Sequence, residues 1–91
     1  MVHSEKLNND WQRLMRGIGK RIFSLYKSDC KVSKCKCFYE VKDWTIKCYF
    51  INELYISVEV AKGIDVILIA RYTGSNQREI INCIEQIINL K

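Results

Sequence analysis

The feature that most constrains this chain is a double change in its apolar spacing, which is helical at the start, alternating through the middle and helical again at the end. Through residues 5–27, Leu7, Trp11, Leu14, Met15, Ile18, Ile22, Leu25 and Tyr26 recur at intervals of three and four. That spacing lines up one buried face of an amphipathic helix, with Ser4 placed to cap it. Gly17 and Gly19 each weaken the helix by about 1 kcal/mol relative to alanine, so they mark a bend or a close packing contact. The period then shortens to two. Cys35, Cys37, Tyr39 and Val41 alternate with Lys34, Lys36, Phe38 and Glu40, the pattern of a strand with one covered face. Trp44, Ile46, Cys48 and Phe50 repeat the alternation after a turn at Lys42-Asp43, and Leu54, Ile56, Val58 and Val60 follow a turn at Asn52-Glu53. Lys62-Gly63 supplies a third tight turn, after which Ile64, Val66, Leu68 and Ala70 begin one face of a fourth strand running to about Tyr72. Ser75 is positioned to cap a last helix, whose stripe is Ile80, Ile81, Ile84, Ile87, Ile88 and Leu90.

The expected architecture is therefore α+β, in the order α-β-β-β-β-α. Short connections imply a four-stranded antiparallel meander, and two amphipathic helices need one sheet face on which both can pack. With 91 residues, the chain has room for one domain, spanning 1–91, with one core. Its most apolar run, residues 64–70, is a strand's length and is interrupted by Asp65, far short of a bilayer span. The first ten residues, MVHSEKLNND, lack the apolar segment of a secretory leader. The expected location is the cytoplasm or nucleus, with peripheral membrane attachment compatible with the charge described below.

Chemistry is sparsely provided. The five cysteines, Cys30, Cys35, Cys37, Cys48 and Cys83, are odd in number and come without a leader, which argues against a disulfide framework. Cys35-x-Cys37 lacks the second ligand pair that a structural zinc site draws on, and on a strand the two thiols share an apolar face. The one histidine, His3, lies near the N-terminus, poorly held for general-base work. The carboxylates are scattered singly. Gly17-Ile18-Gly19-Lys20 lacks the spacing of a phosphate loop. No enzyme, cofactor or metal is expected from these residues.

Charge is the informative property. Residues 1–47 carry 11 Lys and Arg against 5 Asp and Glu, whereas residues 48–91 carry 4 against 5, so the net +5 divides into +6 and −1. Lys6, Arg13, Lys20 and Lys27 recur every seven residues, forming a stripe on the outer face of the first helix, with Arg16 and Arg21 on the same helix. Lys34 and Lys36 extend the positive surface on the first strand, and Arg71 adds to it from the fourth. These nine residues form the candidate anion-binding set, whose partner is phospholipid, RNA or an acidic protein.

A resemblance narrows the choice. In Tyr55–Lys91, the segment Val58-Glu59-Val60-Ala61-Lys62, then Gly63-Ile64 with Arg71-Tyr72-Thr73-Gly74, then Ile84 through Leu90-Lys91 resemble the last strands and helix of the kinase-associated domain 1. That domain lies at the C-terminal end of some Ser/Thr protein kinases. Arg13-Leu14-Met15-Arg16 is similar to the basic first helix of its lipid-binding members. The resemblance implies the same α-β-β-β-β-α order and a regulatory module that binds anionic phospholipid and folds back on a kinase domain. The alternative is an RNA-binding ribonucleoprotein subunit, similar in order and basicity to the small Alu-domain subunits of the signal recognition particle. Trp44, Tyr49 and Tyr55 would stack on bases if they lay on an open sheet face, although Trp44 is in register with core residues. A third reading is a protein-interaction domain, paired through a sheet edge or through the C-terminal helix by Ile81, Ile84 and Ile88; the alternative for these three is packing on the sheet.

Overall fold

A computed structural model describes residues 5–26, 30–32, 38–52 and 54–90. Helix α1 spans Glu5–Leu25 and helix α2 spans Gln77–Leu90. Between them lie β1 (Cys30–Val32), β2 (Phe38–Val41), β3 (Trp44–Ile51), β4 (Tyr55–Lys62) and β5 (Asp65–Tyr72), each antiparallel to the next in the order β1-β2-β3-β4-β5. The expected four-strand meander is present as β2–β5. A three-residue strand, β1, precedes it and pairs Cys30 with Val41 and Val32 with Tyr39. Cys35 and Cys37, expected to open the first strand, lie outside the described residues, as do the Ser4 cap and His3.

Alternation along the strands puts Tyr39, Val41, Trp44, Ile46, Cys48, Ile56, Val58, Val60 and Tyr72 on one face, where they are buried with Leu14, Met15, Ile18 and Ile22 of α1 and Ile80, Ile84 and Ile88 of α2. Complete burial of each such aliphatic side chain contributes roughly 1.5–3 kcal/mol. α1 packs over β3 and β4, and α2 packs beside it over β5. Both helices thus cover the same sheet face, and among the described residues no helix covers the other, here called the open face. Two of the three isoleucines considered for a partner on α2, Ile84 and Ile88, are fully buried in this core; Ile81 is half-buried.

Three local expectations are corrected. The third turn is Gly63-Ile64 rather than Lys62-Gly63: Lys62 still pairs with Asp65, Gly63 has φ 63°, and Ile64 stands in solvent. Next, the β4–β5 register shifts between Val60 and Ala61, because Val60 pairs with Leu68 and Ala61 with Val66. Ile67 is the extra residue of a bulge. A one-residue insertion reverses the parity of everything beyond it, so Leu68 and Ala70 face the core while Val66 joins Ala61 on the open face. Last, the residue preceding α2 is Asn76, not Ser75. Its side chain accepts from the Thr73 amide at 2.9 Å and donates to the Arg71 carbonyl at 2.8 Å, holding the strand-to-helix turn together.

The two glycines of α1 mark close packing contacts. A Cβ on Gly19 would collide with the hydroxyl of Tyr39, which donates to the Met15 carbonyl at 2.7 Å inside the core. A Cβ on Gly17 would meet the amide end of Gln77 on α2.

Candidate anion-binding face

The outer face of α1 follows from its inner one. Because Leu14, Ile18 and Ile22 are buried, the positions about half a turn away face solvent. Lys6, Arg13, Arg16 and Lys20 occupy them, all exposed. At 1.5 Å per residue, Lys6 to Lys20 covers about 21 Å of helix. Lys27, Lys34 and Lys36 lie outside the described residues.

The four cations are not equivalent. Asp10 sits between two of them, 3.3 Å from the Lys6 ammonium and 3.9 Å from the Arg13 guanidinium, and offsets part of their charge. Among the described residues Arg16 and Lys20 have no ion pair. They form the uncompensated centre of the stripe.

Arg21 and Arg71 belong elsewhere. Arg21 turns toward α2 and pairs with Glu85, its second nitrogen donating to the carboxylate at 3.3 Å. That hydrogen bond and the nearby negative charge raise the guanidinium pKa above its ordinary value. One helix turn further on, the Tyr26 hydroxyl donates to the Asn89 side chain, and partial burial followed by the Glu85 charge raises its pKa. These links set the two helices side by side. Arg71 lies on the open sheet face, its guanidinium 4.4 Å from the centre of the Tyr55 ring. Arg71 meets the stripe at a depression to which Lys6, Asp10, Tyr55 and Gly74 also contribute.

A cation outside the expected set joins the face. Arg78 in the first turn of α2 lines a depression with Arg21, Gln77, Ile81 and Asn82. An adjoining depression of about 410 Å³ is lined by Gly17, Lys20, Arg21, Ser24 and Gln77. The inter-helix groove thus carries Lys20, Arg21 and Arg78, of which Arg21 is paired with Glu85. The sequence contains no local signal for this, since Arg78 and Lys20 border depressions that share Arg21 and Gln77 only because the helices pack side by side.

On the open sheet face, Tyr49 and Tyr55 are half-buried and flank Ser57, which is itself buried between Tyr49 and Arg71 across the strands. Trp44 is on the core side, with the Lys62 ammonium 5.6 Å from its ring centre. Among the described residues no group of three or more His, Cys, Asp or Glu is gathered to hold a metal, and no helix is long and apolar enough to cross a membrane. Burial pushes the Cys48 thiol up to about 12, which keeps it protonated and chemically quiet. Neither a family model, nor a curated protein, nor a solved structure matches this chain.

Proposed function

We propose that this domain is a non-catalytic binding module that docks the outer face of α1 on an anionic phospholipid surface. One observation carries the reading: a single helix face presents Lys6, Arg13, Arg16 and Lys20 to solvent, with Arg16 and Lys20 uncompensated. Each cation near an anionic leaflet contributes about 1 kcal/mol. Four of them give roughly 4 kcal/mol, near millimolar affinity, so one face alone supports weak, reversible attachment. The resemblance to the kinase-associated domain 1 points the same way, and a kinase domain with an acidic surface is the protein partner it implies. Sedimentation with vesicles rich in phosphatidylserine, at low salt, tests the reading. Binding to these and not to neutral phosphatidylcholine vesicles is expected; failure to sediment with either overturns it.

The open sheet face favours a second reading, RNA binding. Tyr49, Tyr55 and Arg71 offer ring and guanidinium planes for stacking. A mobility shift with structured RNA at moderate salt, without vesicle binding, would put this reading first.

A further inference from the structure

Residues 11–25 of α1 hold no Asp or Glu, while Arg13, Arg16, Lys20 and Arg21 fall within them. In this acid-free stretch one large apolar side chain stands among the cations. Phe23 follows Lys20 by three residues and Arg16 by seven, spacings that set all three in one row along the helix. At 1.5 Å per residue, the ring lies about 4.5 Å beyond Lys20 along the axis and about 10 Å beyond Arg16. Leu25 is also exposed, but two residues further on it faces the opposite side of the helix.

Phe23 is unlike the other aromatic residues. Among the described residues it is the one exposed aromatic side chain, with 39% of its surface in solvent; the others are buried or half-buried. Its inner side is held. The ring meets Tyr39 edge to face, with centres 6.0 Å apart and planes at 87°, and Tyr39 is fixed in turn by its hydrogen bond to the Met15 carbonyl. The exposed part of Phe23 is thus anchored from below, so little freedom is lost when a partner covers it.

We infer that Phe23 inserts between the headgroups of an anionic leaflet as the apolar anchor of the α1 face, with Arg16 and Lys20 pairing with lipid phosphates beside it. Insertion rests on the lipid reading of this face and supplies the contact that charge alone lacks. Four cations support only near-millimolar attachment, and binding at an interface grows with the apolar area buried as well as with charge. A leaflet offers both in layers, anionic groups outside and hydrocarbon beneath. Arg16 and Lys20 can keep their charged ends at the phosphates while their stems and the neighbouring ring lie deeper. An RNA strand answers the same cations but not the lone ring, since base stacking draws on successive aromatic platforms. Tyr49 and Tyr55 lie on the sheet face that α1 does not cover.

Phe23→Trp in the full chain turns the ring into its own reporter. The probe is a vesicle of equal parts phosphatidylserine and phosphatidylcholine, the latter with or without bromine on its acyl chains. Bromine is expected to quench the variant's tryptophan emission more than the parent's, which comes from half-buried Trp11 and buried Trp44. The added emission should also shift to the blue on binding. In sedimentation with the same vesicles, Phe23→Ala is expected to bind about threefold to sevenfold more weakly, with circular dichroism checking that it stays folded. If Phe23→Ala unfolds, quenching at Phe23→Trp still decides. Vesicle binding without extra quenching at position 23 overturns the insertion and leaves the lipid reading standing, as does undiminished binding by folded Phe23→Ala. A parent chain that does not sediment with these vesicles removes both, and a mobility shift of structured RNA in its place assigns the face to nucleic acid.

Discussion

Gly17 and Gly19 are two residues apart on the same helix, yet substitution by alanine is expected to act in opposite directions. At Gly19 the new methyl meets Tyr39, whose hydroxyl is fixed by the Met15 carbonyl in the core. Gly19→Ala should cost about 1–3 kcal/mol through overpacking. At Gly17 the obstacle is the flexible end of Gln77, which can swing aside. Gly17→Ala should be neutral or gain up to about 1 kcal/mol of helix propensity, and thermal melts of both variants check the contrast. The thiols also divide. Cys83 is exposed and Cys48 buried, so maleimide labelling under native conditions, mapped by mass spectrometry, should modify Cys83 and spare Cys48. The Cys48 thiol ionises near 9.0 when unfolded and near 12 when folded. The unfolded state therefore loses this proton first, and the stability it contributes is intact below pH 9 and declines as pH rises toward 12. Relative to the parent, Cys48→Val should show a shallower loss of melting temperature across that interval.

At the scale of elements, the informative contrast is within α1. Arg16→Ala and Lys20→Ala each remove an uncompensated cation and should weaken vesicle binding about fivefold. Arg21→Ala should change it much less, because that guanidinium is directed at Glu85. Titration of vesicles against the three variants decides this. The stripe was legible from sequence because a seven-residue repeat of cations opposite an apolar repeat has only one helical reading. The roles within it were not. Asp10 is visible in sequence as a neighbour of Lys6 and Arg13, but the tie between Arg21 and Glu85 spans 64 positions and exists only once α1 and α2 lie side by side. The same limit applies to Arg78. In β5 the failure has a different origin. Alternation alone assigns Ile64 and Val66 to the core face with Leu68, whereas one inserted residue at Ile67 sends Val66 to the open side. Hydrophobic spacing carries no mark of a bulge when every residue in the run is apolar.

For the molecule as a whole, salt is the discriminating variable. Vesicle binding driven by exposed cations should fall steeply as ionic strength rises and the screening length shrinks from about 30 Å at 0.01 M to about 8 Å at 0.15 M. Sedimentation with phosphatidylserine-rich vesicles across a salt series checks this.

The sequence by itself determined the class of fold, because the changes of apolar period from about 3.6 to 2 and back leave few ways to bury every face in 91 residues. It also determined where positive charge concentrates, since helical geometry maps spacing directly onto a surface. Only the tertiary structure decided which of those charges are uncompensated, and on which side of the sheet Val66 stands. Those properties depend on contacts between residues distant in sequence and on a single backbone irregularity, and neither leaves a periodic trace.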